Sequence, residues 1–180
     1  MRWDVLFDEL ESRFEEITAT QHTASPSPSE EFSGIVRASA LEAKHQQQSC
    51  QIVLRSGRQL ALSPRTIGTD FVAGPCDDGS VDALIPLDSI VGIQPHQSPV
   101  NFAHPRATLV LALQLWQRRR ALSVIAVHGA ERLGTIMDVT PTAVSFGESH
   151  SQRGAEWLWK IASIDMIRTL TPQEEEWVRG

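Results

Sequence analysis

Apolar and polar residues alternate along this chain with two different periods. Near the start, large apolar residues recur every three or four positions, and acidic residues fill the other faces. This period is typical of an amphipathic helix, which we predict over residues 1–19. Its apolar stripe consists of Trp3, Leu6, Phe7, Leu10, Phe14 and Ile17. Because each large side chain gains about 1.5–3 kcal/mol on full burial, we expect the stripe to bind a protein partner or to mediate self-association.

The segment that follows, residues 20–32, is rich in serine and proline, with Ser25-Pro-Ser-Pro-Ser29 at its centre. Such residues offer little that can pack, so we predict a flexible tether. A tether of this length would let the N-terminal helix reach its own chain or a neighbouring molecule.

Farther along, short apolar runs separated by polar turns predict two groups of five strands, and each group follows a helix. The predicted helices cover 35–46 and 106–119. The predicted strands cover 52–54, 59–62, 66–73, 83–86 and 89–93 in the first group, and 122–127, 132–139, 143–146, 157–160 and 163–168 in the second. A capping-box pattern, with Thr171 before Pro172 and Glu174, predicts a last helix over 171–180.

The two groups are related by an internal repeat. Gly57 and Gly129 follow similar apolar runs at an offset of about 72 positions. With a short slip, Ser89-Ile90 and Ile93 match Ser163-Ile164 and Ile167. We therefore expect both glycines to occupy equivalent hairpin turns with positive φ.

A helix followed by five short strands, with glycine in the first hairpin and Ile-x-x-Ile in the last strand, resembles the Sm-like (LSm) small barrel. The whole layout resembles a group of uncharacterised actinobacterial two-repeat proteins. The resemblance implies a mainly β fold with helices, built from two tandem Sm-like five-stranded barrels, each preceded by a helix. The implied segments are 33–94 for the first barrel, 95–105 for a linker and 106–170 for the second barrel. Since strand edges of such barrels pair, we expect the two units to form a closed pseudo-dimer.

The Sm-type RNA site is not carried over by this resemblance. The family holds RNA with an Asp-x-apolar-Asn loop and an Arg-Gly pair. This chain has Thr69-Asp-Phe-Val72 and Pro141-Thr-Ala-Val144 in the loops, and lacks Arg-Gly before either last strand. One basic run remains, since Arg118, Arg119 and Arg120 lie beside Trp116 and could hold phosphate while the indole stacks on a base. The alternative is that these cations complement the dipole at the end of a helix.

Composition and charge limit the partners and cofactors that we expect for this chain. A net charge of −6 opposes nucleic acid and anionic membranes at long range. Cys50 and Cys76 form no Cys-x-x-Cys pair, and no apolar run approaches the roughly 20 residues of a membrane helix. We therefore expect a cytoplasmic protein with reduced thiols, no membrane contact and no cofactor.

Candidate catalytic and metal-binding residues are isolated along the chain. His128 is expected to be a polar turn residue, and His96 and His104 lie in a linker without metal-ligand spacing. The neighbours Glu148, Ser149 and His150 cannot form a nucleophile–base relay, and the Asp77-Asp78 pair is too short for a calcium loop. We predict a non-enzymatic protein-interaction or scaffold module. The alternatives are an RNA-binding protein and, more remotely, a hydrolase around His150.

Overall fold

The computed structural model describes residues 28–80, 82–94, 107–148 and 155–179. The described part contains the helices α1 (Pro28–Gln46), α2 (Leu109–Arg119) and α3 (Pro172–Arg179). Its strands are β1 (Cys50–Leu54), β2 (Gln59–Leu62), β3 (Thr66–Ile67), β4 (Phe71–Gly74), β5 (Ala83–Pro86), β6 (Ile90–Ile93), β7 (Leu122–Val127), β8 (Ala130–Val139), β9 (Ala143–Glu148), β10 (Glu156–Lys160) and β11 (Ile164–Thr169). The helix predicted over 1–19 lies outside the described residues.

Helix α1 begins at Pro28, seven residues before the predicted start at residue 35. Residues 28–32, assigned to the tether, form its first turns. The physical reason is that Pro28 suits the first helical position, while Glu30 and Glu31 place negative charge at the positive end of the helix dipole. The basic residues Lys44 and His45 lie in its last turn.

Side chains also define where the other two helices begin. At α2, the Leu109 N–H donates to Asp70 Oδ1 at 2.7 Å, and Thr108 is the N-cap. At α3 the predicted capping box is confirmed. The Thr171 N–H donates to Glu174 Oε2 at 2.8 Å, and the Glu174 N–H donates to Thr171 Oγ1 at 3.3 Å.

The first hairpin of each half turns at the predicted glycine. Gly57 has φ 83° and Gly129 has φ 81°, in the left-handed region that favours glycine. The two turns differ in length, however. Val127 pairs with Ala130 across a two-residue turn, whereas the Leu54 N–H bonds to the Arg58 carbonyl across three residues. His128 also has a positive φ, 49°, so the second turn has the dihedral signs of type I′.

The strands of the described part form two open antiparallel sheets. One has the order β2-β1-β6, and the other has the order β10-β9-β8-β7-β11-β5-β4-β3. The predicted pairing of the two units is present, between β5 and β11, but the described strands form neither closed barrels nor a closed pseudo-dimer. The first half does not close on itself because β5 pairs with β11 of the second half. The predicted strand 66–73 is also divided into β3 and β4, since the Gly68 N–H bonds to the Phe71 carbonyl and turns the chain.

The strand order nevertheless repeats between the halves when β2 and β3 are treated as two parts of one strand. Backbone bonds from Ser63 to Pro75 and from Arg65 to Ala73 join this broken strand to the β4 segment. The first half then has the order β5-β4-(β3,β2)-β1-β6, and the second has β10-β9-β8-β7-β11. Each last strand follows a 3-10 turn, and its register shifts at an equivalent residue, Val91 in β6 and Asp165 in β11.

Two hydrophobic cores share the strands in the middle of the larger sheet. The α2 core lies against α2 and includes Leu113, Trp116, Ile125, Phe146 and Ile164, with Phe71 and Leu84 from the first half. The α1 core includes Val36, Ile52, Leu62 and Ile85, with Ala126 and Met166 from the second half. Neighbouring residues on β5 and β11 thus enter opposite cores. Both faces of these strands are buried, as their continuous apolar runs require.

A buried carboxylate reinforces the junction between the halves. Asp165 is fully buried, and its Oδ1 accepts from Arg55 Nε at 2.7 Å. Its Oδ2 accepts from the Gly129 N–H at 2.8 Å, and the Arg55 guanidinium also reaches the Ile164 carbonyl. Asp165 therefore fixes the first hairpin of each half to β11.

We predict that Asp165→Ala lowers the free energy of unfolding by about 2–3 kcal/mol. The substitution leaves the Arg55 guanidinium and the Gly129 N–H without the carboxylate that accepts their hydrogen bonds. Because Arg55 is partly exposed, we expect a smaller destabilisation than for a fully buried ion pair. Urea unfolding would measure it. The control Asp88→Ala, at an exposed carboxylate, should change stability by no more than about 0.5 kcal/mol. Equal effects would show that the Asp165 network adds nothing.

Candidate functional site

The sequence-predicted binding residues are not brought together in the described part of the chain. The stripe Trp3, Leu6, Phe7, Leu10, Phe14 and Ile17 lies outside the described residues. The Trp116 side chain is 2% exposed in the α2 core, so it cannot stack on a base without leaving that core. Arg118 and Arg119 occupy the last turn of α2, and Arg120 caps it with φ 48°. Their position fits the expected role of cations at the negative end of a helix.

The other candidate chemical groups form no common site in the part of the chain that the structure describes. His128 is an exposed turn residue, while His96, His104, Ser149 and His150 lie outside the described residues. Burial raises the pKa of Cys50 to about 11 and that of Cys76 to about 12, so both thiols stay protonated near neutral pH. Within the described ranges, no three His, Cys, Asp or Glu side chains are grouped as metal ligands. None of the helices described is long and apolar enough to cross a membrane.

One polar cluster joins α3 to the body of the protein. The Arg168 guanidinium is almost completely buried and donates to both carboxylate oxygens of Glu174, at 2.7 and 2.8 Å. It also donates to Glu131, and Arg58 forms ion pairs with Glu131 and Asp78. These hydrogen bonds hold the pKa of Glu174 at about 2 and raise the pKa of Arg168.

A cavity of about 390 Å³ borders this cluster, with Thr171, Gln173 and Trp177 on its α3 side. The charged groups that line it, Arg58, Asp78, Arg168 and Glu174, are paired with one another or with Glu131. The cavity is therefore best explained as the seam along which α3 is attached.

The feature that points to binding is the outer strand of the larger sheet. We use the term β10 edge for Glu156–Lys160, which pairs with β9 on one side and with no described strand on the other. The Glu148 N–H donates to the Ala155 carbonyl, and the Ile161 N–H donates to the Thr142 carbonyl. Because an antiparallel ladder alternates, the backbone groups of Glu156, Leu158 and Lys160 point away from β9.

The inner face of the β10 edge carries two stacked indoles. The Trp157 and Trp159 rings lie 5.5 Å apart with an interplanar angle of 16°. Trp159 packs against the α2 core, while Trp157 remains 39% exposed. The Arg132 guanidinium lies 5.8 Å from the Trp157 ring centroid, and the Trp157 indole N–H donates to Glu148 at 3.2 Å. These contacts fix the Trp157 ring on the inner face of the strand.

The outer face of the same strand carries one exposed apolar side chain, Leu158, between the exposed charged residues Glu156 and Lys160. Leu158 is 74% exposed and lies opposite Ser145 of β9. Met137 of β8 is 58% exposed, and its Cγ and Sδ lie beside Gly147. Small residues on β9 thus separate two exposed apolar side chains on one face. An edge strand whose outward backbone groups pair with no described strand, and which carries an exposed apolar residue, is a surface for strand addition.

Because the chain contains a repeat, the exposure of Leu158 can be compared with that of the equivalent residue in the first half. Leu84 of β5 is the counterpart of Leu158, since each lies two residues before the end of the strand that precedes the 3-10 turn. Leu84 is 0% exposed because its side chain lies in the α2 core, which it reaches where β5 pairs with β11 and Ile167 lies opposite it. The sequence analysis predicts a strand over 157–160 but assigns partner binding to the N-terminal helix. Only the strand pairing in the folded chain identifies Leu158 as the exposed apolar residue of the β10 edge.

We predict that Glu174→Gln removes a contribution to stability that depends on pH. Glutamine preserves the capping box but not the charge. Because the pKa of Glu174 is depressed to about 2 from 4.5, its contribution is complete above about pH 5 and is lost as pH falls toward 2. The wild-type advantage should be about 1 kcal/mol at pH 7, since a third of the Glu174 side chain is exposed.

Chemical unfolding across pH would measure this difference, with Glu176→Gln as the control at an exposed position of the same helix. A wild-type advantage that stays constant from pH 7 to pH 2 would contradict the assignment.

Comparison with known proteins identifies no relative of this chain. No protein-family model matches it, and no curated protein or solved structure matches it significantly.

Proposed function

We propose that this chain is a non-enzymatic protein-interaction or scaffold module built on two Sm-like units, and that it binds by strand pairing at the β10 edge. The observation that carries the proposal is the contrast between Leu158, which is 74% exposed, and its counterpart Leu84, which is 0% exposed in the α2 core beside the paired strand β11. The Sm-like part of the proposal is supported by the repeated order of a helix followed by five strands in each half, with β2 and β3 counted as one broken strand.

The chemistry of the edge favours an extended polypeptide as its ligand. The outward groups of Glu156, Leu158 and Lys160 offer N–H donors and carbonyl acceptors at alternate residues, the spacing that a β-strand matches. Leu158 provides an apolar contact worth about 1.5–3 kcal/mol when it is fully buried. The flanking Glu156 and Lys160 side chains favour a partner strand with complementary charges at its ends.

The alternative proposal, RNA binding, has less support. With Trp116 in the core, the Arg118–Arg120 run offers phosphate contacts without an aromatic platform. The net charge of −6 opposes that electrostatic attraction. Partner binding by the N-terminal stripe remains a separate prediction, because those residues lie outside the described part of the chain.

We predict that short extended peptides selected from a displayed random library will bind the full chain at the β10 edge. Leu158→Lys should weaken that binding by about tenfold or more, since it removes an apolar contact of roughly 1.5–3 kcal/mol. Bound peptide should also slow hydrogen exchange at the amides of Glu156, Leu158 and Lys160.

The matched control is Ala162→Lys, which adds the same charge at an exposed residue of the neighbouring 3-10 turn. Its peptide affinity should equal that of wild type. A library that gives no binders, or binders that do not distinguish Leu158→Lys from Ala162→Lys, would refute the proposed function.

A further inference from the structure

The outer face of the β10 edge carries a charge pattern that is complementary to itself. An exposed carboxylate, an exposed apolar side chain and an exposed ammonium group follow one another at alternate positions, as Glu156, Leu158 and Lys160. If two such strands run antiparallel with their Leu158 residues opposite each other, each Glu156 lies opposite a Lys160. Opposite charges in directly opposed positions stabilise an antiparallel pair.

The inner face of the same strand is symmetric about the same residue. Trp157 and Trp159 lie one position before and one position after Leu158. In the antiparallel register centred on Leu158, Trp157 of one copy therefore lies opposite Trp159 of the other. Trp157 is 39% exposed, whereas Trp159 packs against the α2 core. A second copy would cover the exposed indole with aromatic surface, which is a favourable cross-strand contact.

The backbone of β10 has the alternation that this pairing requires. The bonds from Glu148 to Ala155 and from Ile161 to Thr142 fix the ladder with β9, so the backbone groups of Leu158 point away from β9. A two-fold axis through an antiparallel pair can pass between two such outward residues. Each Leu158 N–H then reaches the carbonyl of Leu158 in the other copy, and Glu156 and Lys160 exchange backbone bonds in the same way.

Other arrangements of two β10 strands lose this complementarity. A parallel pair centred on Leu158 brings like charges together at both ends of the strand. A slip of two residues places Leu158 opposite a charged side chain and separates the Glu156–Lys160 pairs. Every pairing between the described strands of the larger sheet is also antiparallel. The side chains of β10 thus favour one direction and one register.

We propose that the partner at the β10 edge is the β10 strand of a second copy of this chain, antiparallel about a two-fold axis at Leu158. This inference rests on the proposed function, because it names the occupant of the same edge. Each copy contributes the same strand, unlike the junction inside the chain, which joins β5 to the different strand β11. The contact is therefore isologous and closes at a dimer, with no β10 edge left for a third copy.

The test changes the charges of the β10 edge and measures the mass of the full chain by sedimentation across a range of concentrations. Wild type should form a dimer. Glu156→Lys opposes two ammonium groups at each end of the joint, and Lys160→Glu opposes two carboxylates there. Because the two-fold axis repeats each change, either variant should raise the dissociation constant of the dimer about tenfold or more.

The two variants should compensate each other only in the proposed pairing. In an equimolar mixture, one copy of each variant brings opposite charges together at both ends, so the mixture should dimerise about as tightly as wild type. The double variant, Glu156→Lys with Lys160→Glu, should dimerise with itself for the same reason. Salt at about 1 M should reduce the differences among variants, because the Debye length is then about 3 Å.

The matched control is Glu176→Lys, which makes the same change of charge at an exposed residue of α3 and should dimerise as wild type does. Both substituted residues of β10 are exposed, so each variant should fold, which circular dichroism would check. Because a peptide would use the same edge, peptides selected for the β10 edge should convert the wild-type dimer into monomers.

Three outcomes would overturn the inference. A wild type that remains monomeric at every concentration would exclude a second copy as the partner. Equal dimerisation of wild type and both single variants would assign self-association to another surface, such as the N-terminal stripe. A mixture that dimerises no better than either single variant would exclude the antiparallel register. Peptides that bind a monomeric wild type at the β10 edge would refute only this inference, whereas a library without such binders would refute the proposed function.

Discussion

The antiparallel pairing of β11 with β5 is the constraint on which the rest of the structure depends. It joins the two halves into one eight-stranded sheet and buries both faces of its central strands. Because β5 and β11 pair with each other, neither strand is left to close its own half into a barrel. The buried Asp165 carboxylate fixes this arrangement by holding the Arg55 side chain and the Gly129 amide against β11. Leaving that carboxylate without its partners is costly, which favours this register over its alternatives.

The pairing of β5 with β11 also explains why β6 and β10 each have an edge that pairs with no other described strand. A repeat of two units has two last strands and two next-to-last strands, and one pairing uses one of each. The remaining pair, β6 and β10, faces outward with Val91 and Leu158 exposed. The Trp157–Trp159 stack supports β10 from behind, so the edge is presented as a formed strand. A preformed strand avoids the entropy of ordering on binding, which favours a binding role.

The paired ionisable groups of the described residues stabilise the fold. Arg168, Glu174, Glu131, Arg58 and Asp78 pair with one another where α3 meets the sheet. Cys50 and Cys76 are buried and protonated near neutral pH. Exposed apolar atoms on an edge strand, rather than a reactive group in a cleft, are the feature that distinguishes this surface.

The sequence by itself determined the elements and their repetition, because these depend on local chemistry. Hydrophobic periodicity identified the strands, Gly57 and Gly129 marked the hairpins, and Thr171 with Glu174 predicted the start of α3. Even the earlier start of α1 was signalled locally, by Pro28 and the two glutamates after it. Strand partners were decided only by the tertiary structure, since pairing joins residues far apart in the chain. Trp116 and Leu158 are both large apolar residues in amphipathic elements, and periodicity cannot tell which is covered. Packing under the α2 core buried Trp116, and the lack of a described neighbouring strand left Leu158 exposed.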